Sequence, residues 1–150
     1  MANSKKSILI ARAILATTLS SYAAYQYHSI KEITGQSLIR PEFAMTDING
    51  QTRHINEWDG QIILLNFWAT WCPPCREEMP SMERLYAKLP KEKFEMIALF
   101  NKDDPAAVKN FVAKLGITFP ILSDEYNFAG TKYGLTGLPE TFIIDKQGVI

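Results

Sequence analysis

The chain is poor in the side chains that build metal centres. Its 150 residues hold only two cysteines and two histidines. Cys72 and Cys75 make a single pair, no second pair exists, and neither His28 nor His54 is placed as a partner, so a four-ligand zinc site is short of ligands. A purely structural disulfide is also a poor reading. The loop between Cys72 and Cys75 is too short for closing it to constrain the unfolded chain much. A folded part of about 110 residues can bury a core without such a staple. Net charge is absent, with 16 basic and 16 acidic side chains. Five of those basic residues and one acid fall in residues 1–40, which leaves 11 and 15 for the remainder, a mildly acidic domain. Nucleic-acid binding normally shows a basic patch, and none is expected here. Repeats and low-complexity tracts are missing too.

Long apolar runs are scarce. The nearest approach is the leader, where Lys5, Lys6 and Arg12 surround Ile8-Leu9-Ile10-Ala11 and an uncharged stretch runs from Ala13 to Ile30. A membrane anchor needs about 20 largely apolar residues, and this stretch is interrupted by Thr17, Thr18, Ser20, Ser21 and Gln26. Three readings stand: a membrane anchor, a signal peptide cleaved near Ser21-Tyr22-Ala23, or a transit peptide or ordinary amphipathic helix. The first two put the domain in the periplasm or another extracytoplasmic space, with Lys5, Lys6 and Arg12 left on the cytoplasmic side. Residues 1–30 are therefore read as signal or anchor, 31–40 as linker and 41–150 as the folded domain.

Within that domain, Asp47-Ile48-Asn49-Gly50 signals a hairpin turn, with Thr52 to Ile55 as the return strand. Ile62 to Trp68 is apolar nearly throughout, as in a strand covered on both faces. Met79, Met82, Leu85, Tyr86 and Leu89 recur at helical spacing, with Pro80 expected to kink the helix. Phe94 to Phe100 predicts another strand. Asp104, Pro105 and Gly116 predict the cap, first turn and stop of a helix whose inner face is Val108, Phe111, Val112 and Leu115. Ile117 to Leu122 reads as a short strand, Tyr126 to Tyr133 as a short helix, Thr141 to Asp145 as a strand and Gln147-Gly148 as a turn. Strands alternating with helices imply an α/β layer fold with some parallel pairing.

The chemistry concentrates where the long strand passes into the helix. With Cys72 as helix N-cap, Pro73 and Pro74 occupy positions where a missing N–H costs least. Neither can donate to the Cys72 sulfur, so the first available donor is the N–H of Cys75. Helix dipole and donor together lower the thiol pKa, but less than a site with more donors would. That favours a reductant over a strong oxidant. Cys72 is expected to be the exposed attacking sulfur and Cys75 the shielded resolving one. No cofactor beyond this redox-active pair is expected, and no metal.

The segment Asn66-Phe67-Trp68-Ala69-Thr70-Trp71-Cys72-Pro73-Pro74-Cys75 resembles the active-site segment of TlpA-like (ResA-like) thiol–disulfide oxidoreductases of the thioredoxin superfamily. Pro41-Glu42-Phe43 with Asp47 to Gly50 resembles the family's N-terminal hairpin, Pro80 its helix kink, and Gly137-Leu138-Pro139-Glu140-Thr141 its cis-proline segment. The resemblance covers about residues 41 to 150. It implies a thioredoxin-like α/β fold with a central mixed sheet flanked by helices. It implies that Pro139 is cis and exposes the backbone of Leu138 to a substrate peptide, and that Glu78 is an acid/base group tuning the cysteines. Asn66 stands where thioredoxin itself has a buried aspartate. Trp71, Pro73 and Pro74 join the expected substrate platform, while Phe67 and Trp68 are expected in the core.

Implied partners are protein disulfide or dithiol substrates and a membrane thiol-reductase as electron donor. Glu140 after Pro139 resembles the cytochrome c maturation branch. The family adds a strand and helix after the Gly148 turn, and this chain stops at Ile150. The expectation is thus a C-terminally truncated domain lacking an edge strand and one helical cover. Two rivals are a peroxiredoxin-like peroxidase, which needs a lone peroxidatic cysteine, and a non-enzymatic binding module on the same scaffold.

Overall fold

Asp47 sets the first turn. Its carboxylate accepts the N–H groups of Asn49 and Gln51 at 2.8 and 2.9 Å, and Gly50 supplies the left-handed φ of +85° that closes the loop. This joins β1 (Ala44–Thr46) to β2 (Thr52–His54) as an antiparallel hairpin. The return strand ends one residue earlier than expected, because Ile55–Trp58 wind into a 3-10 turn that drives Ile55 and Trp58 inward. The structure, a computed structural model, describes Ser21, Tyr22 and residues 38–150. Ser21 and Tyr22 are helical, and the rest of the leader and most of the linker lie outside the described residues. Among the described residues no helix is long and apolar enough to cross a membrane.

The main sheet is built on β3 (Ile62–Trp68) and β4 (Phe94–Phe100), which run parallel with Ile62 opposite Phe94 and Trp68 opposite Phe100. β5 (Ile121–Ser123) lies parallel to the other side of β4, and β6 (Glu140–Ile144) antiparallel to β3. The order β5-β4-β3-β6 is a mixed sheet. It carries helices α1 (Pro73–Tyr86), α2 (Pro105–Leu115) and α3 (Phe128–Tyr133). The α/β architecture is the expected one.

Local chemistry explains the boundaries. Asp104 accepts the N–H groups of Ala106 and Ala107, Pro105 opens α2, and Gly116 at φ +65° ends it. Ile117 then donates back to the Val112 carbonyl, and Pro120 has no N–H for a ladder, so β5 starts at Ile121 and not at Ile117. α3 begins at Phe128, two residues late, because Asn127 sits in the left-handed region at φ +54°. α1 runs through Pro80 as a single element and stops at Tyr86. Leu89 therefore falls beyond it, and Leu85, expected on the inner face, is exposed.

Leu38 to Arg40, read from sequence as the end of a linker, pair with the last residues of the chain. Ile39 bridges Val149, the Arg40 N–H donates to the Gly148 carbonyl at 2.8 Å, and that of Ile150 to Leu38 at 2.9 Å. Arg40 is buried, with its guanidinium on Asp59 at 2.5 Å and Glu42 at 2.9 Å. β6 is the other edge of the four-stranded sheet, and Ile143 on it is exposed.

Side chains of β3 alternate between two cores. Ile63, Leu65 and Phe67 face one with Phe43, Ile55, Trp58 and Tyr133. Leu64 and Trp68 face another that contains Cys72, Cys75, Met79 and Val108. As expected, Phe67 and Trp68 are fully buried.

Candidate active site

The strand-to-helix junction puts Cys72 at the N-cap of α1, with Pro73 and Pro74 in the first two helical positions. Its sulfur accepts one hydrogen bond, from the Cys75 N–H at 3.4 Å. The donor is the one that two adjacent prolines leave available. The two sulfurs are joined as a disulfide.

One expectation needs correction. Cys72 is not exposed: it keeps only 4% of its accessible surface, against none for Cys75. The order of accessibility is as expected, but the helix start draws both sulfurs into the cluster with Ala69 and Met79. The exposed surface beside them belongs to Trp71, at 60%, and to Pro73 and Pro74.

Trp71 is held in that position. Its indole N–H donates to the Lys102 carbonyl at 3.1 Å, and Lys102 itself has φ +47°. Next door, the backbone N–H and hydroxyl of Thr70 both donate to the Asp103 carboxylate at 2.5 and 2.9 Å. The loop after β4 thus grips the loop after β3. Lys102 and Asp103 went unnoticed in the sequence, where Asp104 was the more obvious cap and no local pattern ties residue 70 to residue 103.

The Leu138–Pro139 peptide is cis, as the family resemblance implied. Leu138 is partly buried against the cluster that holds both cysteines. On the helix, Glu78 lies one turn past Cys75, and its carboxylate accepts from Asn66 Nδ2 at 3.0 Å. The same nitrogen donates to Thr141 Oγ1 at 2.9 Å. Thr141 was expected as a strand residue, without this partner. The period-2 alternation of β6 puts it on the face opposite Phe142, but its partner is 75 residues away. A groove of about 450 Å³ beside Pro73 is lined by Arg76, Glu77, Phe111, Lys114 and Leu115. Among the described residues, no group of three or more His, Cys, Asp or Glu side chains is arranged to hold a metal ion.

Residues 39–150 match the family model described as the AhpC/TSA family. Thiol-disulfide oxidoreductase ResA of Bacillus cereus is 37% identical over 150 residues, covering 97% of this chain and 87% of that protein. The chain belongs to the AhpC/TSA family and to its ResA-like thiol–disulfide oxidoreductases. ResA of Geobacillus thermodenitrificans is 31% identical, with 97% and 86% covered. Among solved structures, a thiol:disulfide interchange protein of the thioredoxin family from Chlorobium tepidum superimposes with a TM-score of 0.70 at 28% identity, covering 77% of this chain and 83% of that one. This ResA-like chain is an oxidoreductase of thioredoxin-like fold, and Cys72–Cys75 is its redox pair.

Proposed function

We propose that this ResA-like protein reduces protein disulfides outside the cytoplasm, with its N-terminal segment at the membrane. The observation that carries the direction is the single N–H donor on the Cys72 sulfur. A thiolate stabilised by many donors makes the reduced form preferred and the couple oxidising. One donor and a helix start give the Cys72 thiolate little support beyond that, which leaves electrons easy to give away.

The exchange runs in two steps. The Cys72 thiolate attacks a target disulfide, a mixed disulfide forms, and one target sulfur leaves and takes a proton. Cys75 then gives its proton to Glu78, its sulfur attacks that of Cys72, and the second target sulfur leaves and is protonated. Two electrons pass from the dithiol to the target, which becomes two thiols. Trp71, Pro73, Pro74 and the Leu138–Pro139 segment present the target to Cys72. A membrane thiol-reductase returns the electrons. Cysteines of apocytochrome c are candidate targets, supported by Glu140 after Pro139. The leader with Lys5, Lys6 and Arg12 supports the location. The peroxidase rival expects a lone reactive sulfur, whereas here the second sulfur is bonded to the first.

The test is a trap. Cys75→Ser in the full chain should hold protein targets as mixed disulfides on Cys72, and the wild-type couple should equilibrate with reducing buffers well below the roughly −120 mV of a strong oxidant. A potential near that value, or turnover of hydrogen peroxide in place of protein disulfides, overturns the proposal.

A further inference from the structure

Asn66 is fully buried in the middle of β3, opposite Thr141 in the antiparallel register with β6. Its Nδ2 spends both hydrogens, one on Glu78 Oε1 and one on Thr141 Oγ1. Its Oδ1 is buried without a hydrogen-bond partner. A buried acceptor left unpaired costs stability, so the arrangement is not the cheapest way to pack a strand. We propose that Asn66 is a positioning residue for Glu78, giving that carboxyl a buried partner in both of its protonation states, with Thr141 fixing the amide.

An ionised carboxylate only accepts, and Nδ2 matches it. A protonated carboxyl donates and needs an acceptor, which Nδ2 is not. Turning the amide end for end brings Oδ1 to the same place. The Thr141 hydroxyl fits either end, because it accepts from Nδ2 and donates to Oδ1. Oδ1 then receives both hydrogens and Nδ2 becomes the unpaired group. The amide follows the proton on Glu78 and has none of its own to lose. An aspartate in its place would set two carboxyls together and force one to hold a proton.

Other charges around Glu78 are few. β3 carries none. β6 carries only Glu140, whose carboxylate is taken by the N–H and hydroxyl of Thr136. α1 contributes Arg76, Glu77, Glu83 and Arg84, and Glu83 is bonded to Thr118. The two cysteine sulfurs are the remaining titratable groups once reduced.

This inference rests on the reading of Glu78 as the acceptor of the Cys75 proton. The experiment follows the release step, in which Cys75 displaces a cysteine peptide from Cys72, across pH in the full chain. Of the two bonds, the one to the ionised carboxylate is charge-assisted and the stronger, so Asn66→Leu should move the midpoint of the rate profile up by about one pH unit, Asn66→Asp should move it further, and Thr141→Val should move it less in the same direction. In a Glu78→Gln background none of these shifts should appear. Profiles of the Asn66 and Thr141 variants that superimpose on wild type, while Glu78→Gln differs, overturn the positioning role alone. A Glu78→Gln profile identical to wild type overturns the reading of Glu78 and this inference with it. Thr141→Val keeps side-chain volume close to native and carries the test if the Asn66 variants do not fold.

Discussion

The two sides of β3 are built from opposite materials. On one side Ile63, Leu65 and Phe67 meet an aromatic layer, where Phe67 packs against Tyr133 at 5.9 Å and Phe142 at 5.8 Å, and Phe43 lies 6.4 Å from Tyr133. On the other, Leu64, Asn66 and Trp68 meet two sulfurs, a carboxylate and a hydroxyl. The first side has no chemistry to perform and packs without polar compromise. The second tolerates a buried amide oxygen with no partner. Stability gathered on one face lets the other be polar and reactive, since native folds keep only a small net margin.

Three substitutions would break or sharpen this contrast. The largest effect is expected from Cys72→Ser. It should reduce disulfide turnover to background while the aromatic side, followed by near-UV circular dichroism, keeps its signature. Loss of the disulfide itself should cost little, because the loop it closes is short. A variant that still turns over protein disulfides would show that the sulfur side does not own the chemistry.

Next comes Phe67→Ala, one residue from Asn66 but on the opposite side. It should cost about 3–5 kcal/mol in denaturant unfolding and leave the alkylation rate of the reduced Cys72 unchanged per folded molecule. A change in thiol reactivity comparable to the loss of stability would mean that the two sides are not separable.

The smallest is Glu57→Gln. The Glu57 carboxylate sits below its usual range, chiefly because it accepts the His54 N–H, with Arg53 adding to the effect. Those bonds hold the turn that carries Ile55 and Trp58 into the aromatic side. A carboxyl with a lowered folded pKa stabilises the native state at neutral pH, and that contribution fades as pH falls through the folded value. Wild type should therefore be slightly more stable than the variant at pH 7, and the difference should vanish in acid. An equal gap at both pH values would assign the effect to packing.

Much of this architecture is written in local sequence. β3 and β4 could be read to the residue because each is apolar but for one position, Asn66 in β3 and Glu95 in β4, and α2 because Asp104, Pro105 and Gly116 mark its ends. The redox pair and its single donor followed from Cys72-Pro73-Pro74-Cys75 alone. What escaped was long-range. Thr141 and Asp103 matter through partners 75 and 33 residues away, and Arg40 through the Gly148 turn. No local periodicity encodes such pairings. The burial of Cys72 was missed for the same reason, since an N-cap position says how a sulfur is bonded and not what lies over it.

The adjacent prolines after Cys72 leave a one-way door. Any other residue at position 73 or 74 restores an amide hydrogen near the sulfur, and each restored hydrogen steadies the anion and raises the voltage of the couple. Single changes at these two sites can push the molecule toward taking electrons, and none can push it further toward giving them by this route.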